Sequence, residues 1–278
     1  MKTESISKFK HTFSQNPLNR GESERRDEQW ISGQIDNPNS KFMIVNDLNI
    51  LIDSSSKNKS LAWMPQQNIH RLEIEGSPVL LGIQDDVTHF ALSISHNSAS
   101  NLVSEPQYEF VDARTCAGFL SSESTGIIAQ ARIQINWHNK NKFCSVCGKP
   151  NNIFRGGQVL KCSSCNNETF PRTDPVIIMV VTDGEYCLLG QSRGRLSQTN
   201  TYSALAGFMD QGESIEEAVA REVMEEAGLK IKNVTYHSSQ PWPFPNSLMI
   251  GCLAEAQTTD IHMDDEEMVS VKWFNREQ

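Results

Sequence analysis

Two domains of mixed α/β (α+β) type, joined by a small metal-binding ribbon, are the architecture the sequence predicts. Three features carry that expectation. Short apolar runs broken by turn residues fill 42–123, two C-x2-C pairs lie between 144 and 165, and an unbroken apolar run at 175–181 precedes a carboxylate-rich helix beginning near 215. A chain of 278 residues is long enough for two domains.

Taken in order, residues 1–40 are polar and charge-rich without an apolar period, and read as a loosely docked N-terminal arm. A β-rich domain is expected over 41–125. Its strands are signalled by Phe42-Met43-Ile44-Val45, Val79-Leu80-Leu81-Gly82-Ile83 and His89-Phe90-Ala91-Leu92-Ser93-Ile94, with Gly76-Ser77-Pro78 and Asp85-Asp86 as turns. Ile128, Ala131, Arg132 and Ile135 predict a helix over 129–137, within a linker-and-ribbon segment at 126–172. The last domain spans 173–278, where 175–181 predicts a strand buried on both sides. Asp183-Gly184 turns the chain back into a second strand at 186–190.

A net charge of −9 argues against a protein that coats DNA with a broad basic face. No run approaches the length of a membrane span and no apolar stretch follows the N-terminal lysines, so an intracellular, cytoplasmic and soluble chain is expected. Seven cysteines without a secretory signal favour metal binding over disulfides.

The most informative segment is 207–229. Ser214 and Glu217 form a capping-box pattern that starts a helix near Ile215, and Gly228 fits its end. Glu222, Glu225 and Glu226 then fall at i, i+3 and i+4, three carboxylates on one helical sector whose repulsion a divalent cation would relieve. Arg221 and Glu213 are spaced to pair and hold the helix against the preceding loop. The segment resembles the Nudix box, G-x5-E-x7-R-E-U-x-E-E-x-G-U with U a bulky aliphatic. Gly207, Glu213, Arg221, Glu222, Val223, Glu225, Glu226, Gly228 and Leu229 fill every specified position. The resemblance implies an α/β/α sandwich in which Glu222, Glu225 and Glu226, with the carbonyl of Ala206, hold Mg²⁺ or Mn²⁺ against a diphosphate, and in which Glu213 and Arg221 belong to the catalytic set.

A second motif, Ser239-Gln240-Pro241-Trp242-Pro243-Phe244-Pro245-Asn246-Ser247, alternates prolines with aromatics. Three prolines stiffen the loop, which then offers Trp242 and Phe244 as a platform for a base. The motif resembles the signature of the NADH pyrophosphatases within the Nudix superfamily. That resemblance implies that Gln240, Pro241, Trp242, Pro243, Phe244, Pro245, Asn246 and Ser247 line the dinucleotide site, with Phe208 nearby. It also implies a further metal-binding carboxylate at Glu267, a substrate contact from Arg114 in Asp112-Ala113-Arg114, and a homodimer. Phe170 stands where relatives usually have a tyrosine, so it can stack but cannot donate a hydrogen bond. The chain ends at Gln278, shortly after Trp273, where relatives generally continue for a few tens of residues.

Cys144-x2-Cys147 and Cys162-x2-Cys165 predict one structural Zn²⁺ per chain, closed by four thiolates. The NADH pyrophosphatase family carries a zinc ribbon between an N-terminal Nudix-like domain and its catalytic domain, the same order. Cys116, Cys187 and Cys252 lack partners at such spacing and read as buried small hydrophobes. Lys140, Lys142, Lys149, Arg155, Lys161 and Arg172 make the ribbon basic, which could meet an RNA backbone.

The function expected is metal-dependent hydrolysis of the NAD(H) pyrophosphate bond to AMP and nicotinamide mononucleotide. The same chemistry on an NAD cap at an RNA 5′ end stays open. So do a Nudix hydrolase for other nucleoside diphosphate derivatives and a zinc-ribbon binding module with an inactive Nudix domain.

Overall fold

A computed structural model describes residues 9–193 and 195–278. The chain forms two compact units, residues 1–172 with Pro241–Asn246 and residues 173–240 with 247–278.

The first unit is built on a seven-stranded sheet of β1 (Lys41–Asn46), β2 (Asn49–Asp53), β3 (Ser60–Leu61), β4 (Trp63–Pro65), β5 (Val79–Gln84), β6 (Val87–Ser93) and β7 (Tyr108–Val111). Its main path runs β3-β2-β1-β6-β5, with β1 and β6 parallel. Alternation along β1 sends Met43 and Val45 to one face and Phe42 and Ile44 to the other, and each face is buried in its own apolar cluster. Helices supply both covers. Ile31 of α1 (Glu28–Ile35), Ile69 of the single turn α2 (Gln66–Ile69) and Ala99 and Leu102 of α3 (His96–Leu102) close one face. The single turn α4 (Ala113–Cys116) and α5 (Ser122–Lys140) close the other through Ala113, Ile128, Ala131 and Ile135.

The helix expected at 129–137 thus begins seven residues earlier. Ser121 caps it by accepting from Ser124 N, and the polar first turn hid that start from an apolar-period reading. The N-terminal residues differ more. Phe13, Leu18, Arg25 and Ile31 are buried, and Asp27 caps α1 by accepting from Gln29 N and Trp30 N. Phe13 N donates to Thr125 Oγ1. The Arg25 side chain is wholly buried and donates to the carbonyls of Arg20 and Leu80, each at 2.6 Å, and of Gly156 at 3.2 Å. From residue 9 onward, the segment read as an arm sends Phe13, Leu18, Arg25 and Ile31 into the unit's interior.

The ribbon follows α5 as a three-stranded sheet, β10-β9-β8, of β8 (Asn151–Phe154), β9 (Val159–Cys162) and β10 (Glu168–Thr169).

The second unit is a six-stranded sheet with path β14-β15-β11-β12-β16, and β13 pairs with β11. Its strands are β11 (Asp174–Thr182), β12 (Cys187–Ser192), β13 (Leu205–Phe208), β14 (Ile231–Trp242), β15 (Ser247–Ala256) and β16 (Met268–Phe274). The predicted hairpin is present, with Val181 opposite Leu188. The single turn α6 (Arg195–Gln198) precedes β13, and α7 (Ile215–Ala227) packs Ala218, Val219 and Val223 on the sheet. The central strand β11 was expected to be buried on both sides. Ile177, Met179 and Val181 are buried against the α7 cluster, while on the opposite face Val176 is buried but Ile178 and Val180 are only half-buried. Among the described residues, α7 is the one helix of more than a single turn in this unit. None of the described helices is long and apolar enough to cross a membrane.

Cys116 and Cys252 are buried as expected, and burial pushes the Cys116 thiol up to about 12. Cys187 is only half-buried, since it opens β12 beside the turn.

Candidate active site and metal centre

The box helix is delimited by its own sequence. Ser214 Oγ accepts from Glu217 N and the Glu217 carboxylate accepts from Ser214 N, completing a capping box at the start of α7. Gly228 ends it at φ +69°, a left-handed conformation that glycine adopts without a Cβ penalty. Over its last one and a half turns or so, α7 presents Glu222, Glu225 and Glu226.

Arg221 organises the acidic groups around it. Its Nε and Nη2 donate to the two oxygens of Glu213 at 2.6 and 3.0 Å, a bidentate pair. Nη1 reaches Glu222 and Glu225, each at 2.9 Å, and Nη2 also donates to the Phe208 carbonyl at 2.9 Å. Glu213 in turn accepts from Asp210 N. The Arg221 hydrogen bond holds the Glu213 carboxyl down at about 2, so it stays ionised and the loop stays tied to the helix. The spacing-based pairing of Glu213 with Arg221 is present, and Arg221 takes on two further carboxylates.

Gly207 is required by sterics. A Cβ there would lie 2.0 Å from Glu222 Oε1, so the β13 backbone is the floor on which the Glu222 carboxylate rests. Glu226 is the opposite case. It is 8% exposed and its Oε2 is buried with no hydrogen-bond partner. Burial, reinforced by the charges of Glu222, Glu267 and Glu225, pushes its carboxyl up to about 7. Burial likewise raises Glu222. A buried carboxylate oxygen with no donor, among neighbours of the same sign, is a site that a hard divalent cation would satisfy. Electrostatic coupling of Glu267 to Glu222 and Glu226 puts it in the same field, and its backbone carbonyl accepts from Arg193 N at 3.0 Å. Ala206 lies opposite Ile178 in the β13–β11 pairing, one residue before the Gly207 floor.

Among the described residues, the group drawn tightly enough to clasp an ion is Cys144, Cys147, Cys162 and Cys165, whose sulfurs all lie within 4.8 Å of one another. The 144–165 and 147–162 sulfur pairs are 3.7 and 3.4 Å apart. Those separations are far too long for a disulfide, and close to the roughly 3.8 Å edge of a tetrahedron with 2.3 Å metal–sulfur bonds. Backbone N–H groups of Val146, Ser164 and Cys165 point at the sulfurs, each at 3.4 Å. Hydrogen bonds from Cys165 and Ser164 N bring the Cys162 thiol down to about 6, while three sulfur neighbours push the Cys165 thiol up to about 12.

The Pro-aromatic motif is divided between elements. Gln240 to Trp242 close β14, Ser247 opens β15 and is buried, and Asn246 Nδ2 donates to Arg172 O at 3.1 Å. Pro241–Asn246 cluster with the first unit. Trp242 and Phe244, expected to offer their faces to a base, pack against that unit's core. Phe13 meets both rings edge-on, at 6.0 and 5.6 Å, and the Arg114 guanidinium lies 4.0 Å over Phe244. Asp112 caps α4 by accepting from Arg114 N, which explains the Asp-x-Arg step locally. The rings left open are Phe170, 58% exposed, and Phe208, 60% exposed. Sequence reasoning missed Phe13 and the contacts of Arg132, whose Nε donates to Pro243 O at 2.8 Å and whose guanidinium carbon lies 5.0 Å from the Phe244 ring centroid. The first had no signal, and the second showed only as a polar residue on an otherwise apolar helix face.

Comparison with known proteins identifies the domains and the family. Residues 171–278 match the NUDIX domain model, and residues 39–137 match that of the NADH pyrophosphatase-like rudimentary NUDIX domain. The chain is 33% identical to NAD-capped RNA hydrolase NUDT12 of Macaca fascicularis, over 99% of this chain and 68% of that protein. It is also 33% identical to the mitochondrial NAD(P)H pyrophosphatase NUDT13 of Mus musculus, over 85% of this chain and 73% of that one. The NAD-capped RNA hydrolase of Schizosaccharomyces pombe is 41% identical over 57% of this chain and 46% of its own length. With a complete box on a capped helix, a rudimentary Nudix domain before it and a four-thiol ribbon between, this chain belongs to the NADH pyrophosphatase family of Nudix hydrolases.

Proposed function

We propose that the protein hydrolyses the pyrophosphate bond of NAD(H), giving AMP and nicotinamide mononucleotide, and acts on the same bond in an NAD cap at an RNA 5′ end. The observation that carries this is the buried, donor-less Oε2 of Glu226 beside Glu222 and Glu225, both of which Arg221 engages. Relatives named for NAD-capped RNA and NAD(P)H at about one-third identity support the substrate class.

In this reading Glu222, Glu225, Glu226, Glu267 and the Ala206 carbonyl would hold Mg²⁺ or Mn²⁺. Bound there, such an ion would neutralise diphosphate charge and acidify an attacking water. The chain's own part is positional. Arg221 and Glu213 fix the loop at 208–213 against α7, and Gly207 leaves room for the Glu222 carboxylate. Water adds to one phosphorus, the bridging P–O bond breaks, and each product leaves with one phosphate. Phe170 and Phe208 are the open rings for a base, while residues 240–247 with Arg114 line the dinucleotide site. The four thiolates would hold Zn²⁺ as a closed structural site. We further place the enzyme in the cytoplasm, which fractionation of cells tests, and as a homodimer, which sedimentation of the purified protein tests.

The deciding experiment is AMP release from NADH with Mg²⁺ or Mn²⁺, using Glu226→Gln as control. Metal-dependent release that the substitution removes is expected. Equal release by the variant would overturn the assignment of the site.

A further inference from the structure

Prolines occupy three of the six positions at 241–246, so half of that loop's residues contribute no N–H. Within the loop, Phe244 N donates to Trp242 O at 2.8 Å. The Pro243 carbonyl is satisfied from outside, by Arg132 Nε of α5 at 2.8 Å. The same guanidinium donates through Nη1 to Leu48 O, and its carbon lies 5.0 Å from the Phe244 ring centroid. Asp47 and Leu48 form the two-residue turn between β1 and β2, with φ of +46° and +62°, the conformation of a tight hairpin. The carbonyl of Leu48 is therefore fixed by the sheet. Arg132 itself is fixed by its neighbours Ala131 and Ile135, both buried.

We propose that Arg132 is a positioning residue. By bridging Leu48 O to Pro243 O, it sets the shape of the Pro-aromatic loop on which dinucleotide recognition depends. This rests on the reading of residues 240–247 as part of the substrate site. The chemistry calls for arginine. A planar fork can donate in two fixed directions and still lie against a ring, whereas a lysine ammonium is a single point charge.

The test uses the full chain with Arg132→Ala and Arg132→Lys, read by hydrogen exchange and by steady-state kinetics on NADH. Exchange at 240–247 is expected to rise about tenfold in Arg132→Ala, with β11, α7 and metal content unchanged. KM for NADH should rise about tenfold with kcat within about threefold, and Arg132→Lys should recover part of the loss. A merely structural role predicts faster exchange throughout the first unit and a lower active fraction with KM unmoved; that result overturns the proposal. So does unchanged exchange at 240–247. Faster exchange confined to the loop with an unmoved KM removes the loop from substrate recognition, and so sinks the reading on which the proposal rests. Exchange reports on the clamp even where NADH is not turned over. Should Arg132→Ala fail to fold, Arg132→Lys gives the same readouts.

Discussion

Four thiols at 144–165 and four carboxylates around α7 both gather groups suited to a cation, and they are prepared in different ways. The sulfurs have converged, held by backbone N–H groups of two knuckles that aim at them. The carboxylates are held differently: Arg221 engages Glu222 and Glu225 together with Glu213, while Glu226 is left buried without a donor. In the ribbon the four sulfurs and the local fold are one object, so removing the proposed ion should cost the fold. At α7 the fold stands on its capping box and apolar face, so the ligands can be altered while the helix remains.

The largest expected effect tests the ribbon. Cys162→Ser should abolish zinc binding, measured by elemental analysis, and destabilise the ribbon by an amount on the order of the ~10 kcal/mol seen for structural zinc sites. Retention of parental thermal stability by a zinc-free variant would erase the contrast. Next, Glu226→Gln should cut kcat roughly a thousandfold. Because it neutralises a buried group lacking a partner, its metal-free melting temperature should equal or exceed that of the parent. A large drop in stability would mean that α7 depends on its ligands after all. Gly207→Ala places a methyl on the Glu222 carboxylate, and should lower kcat about a hundredfold at a cost of about 1–3 kcal/mol in stability. Parental activity would show that Glu222 can sit elsewhere.

The smallest effect is one of pH, and it again concerns the ribbon. His138 Nε2 meets Gly157 O at 2.8 Å, and burial lowers its pKa from 6.5. The unfolded histidine therefore protonates first as pH falls. The stability due to neutral His138 is complete above about pH 6.5 and is lost below it. His138→Gln keeps a donor and removes the titration. Melting curves from pH 7.5 to 5.5 should be flatter for that variant, with the similarly buried His89 accounting for part of the remaining slope.

How much was legible follows the range of the interactions. Both ends of α7 were legible because Ser214, Glu217 and Gly228 act on backbone groups within four residues. The hairpin at Asp183-Gly184 and the two knuckles are likewise local. The burial of Phe13, the carbonyl cage of Arg25 and the clamp made by Arg132 were not, since their partners lie tens to more than a hundred residues away. The same reason hid the packing of Trp242 and Phe244. Their spacing announced aromatics on a stiff loop, but only the packed core shows which faces Phe13 and Arg114 cover. The uneven burial of the two faces of β11 escaped too, because an apolar run does not tell which face a helix will cover.

Pro241–Asn246 also make the first unit discontinuous in sequence. During synthesis, residues 1–172 are complete well before the six residues that finish their core, a gap of several seconds at about 5–20 residues per second. A cut after Arg172 would therefore yield no faithful copy of that unit. Swapping or duplicating either unit as a cassette would have to carry two separate stretches of chain, and a lineage that inherits one without the other inherits an unfinished core.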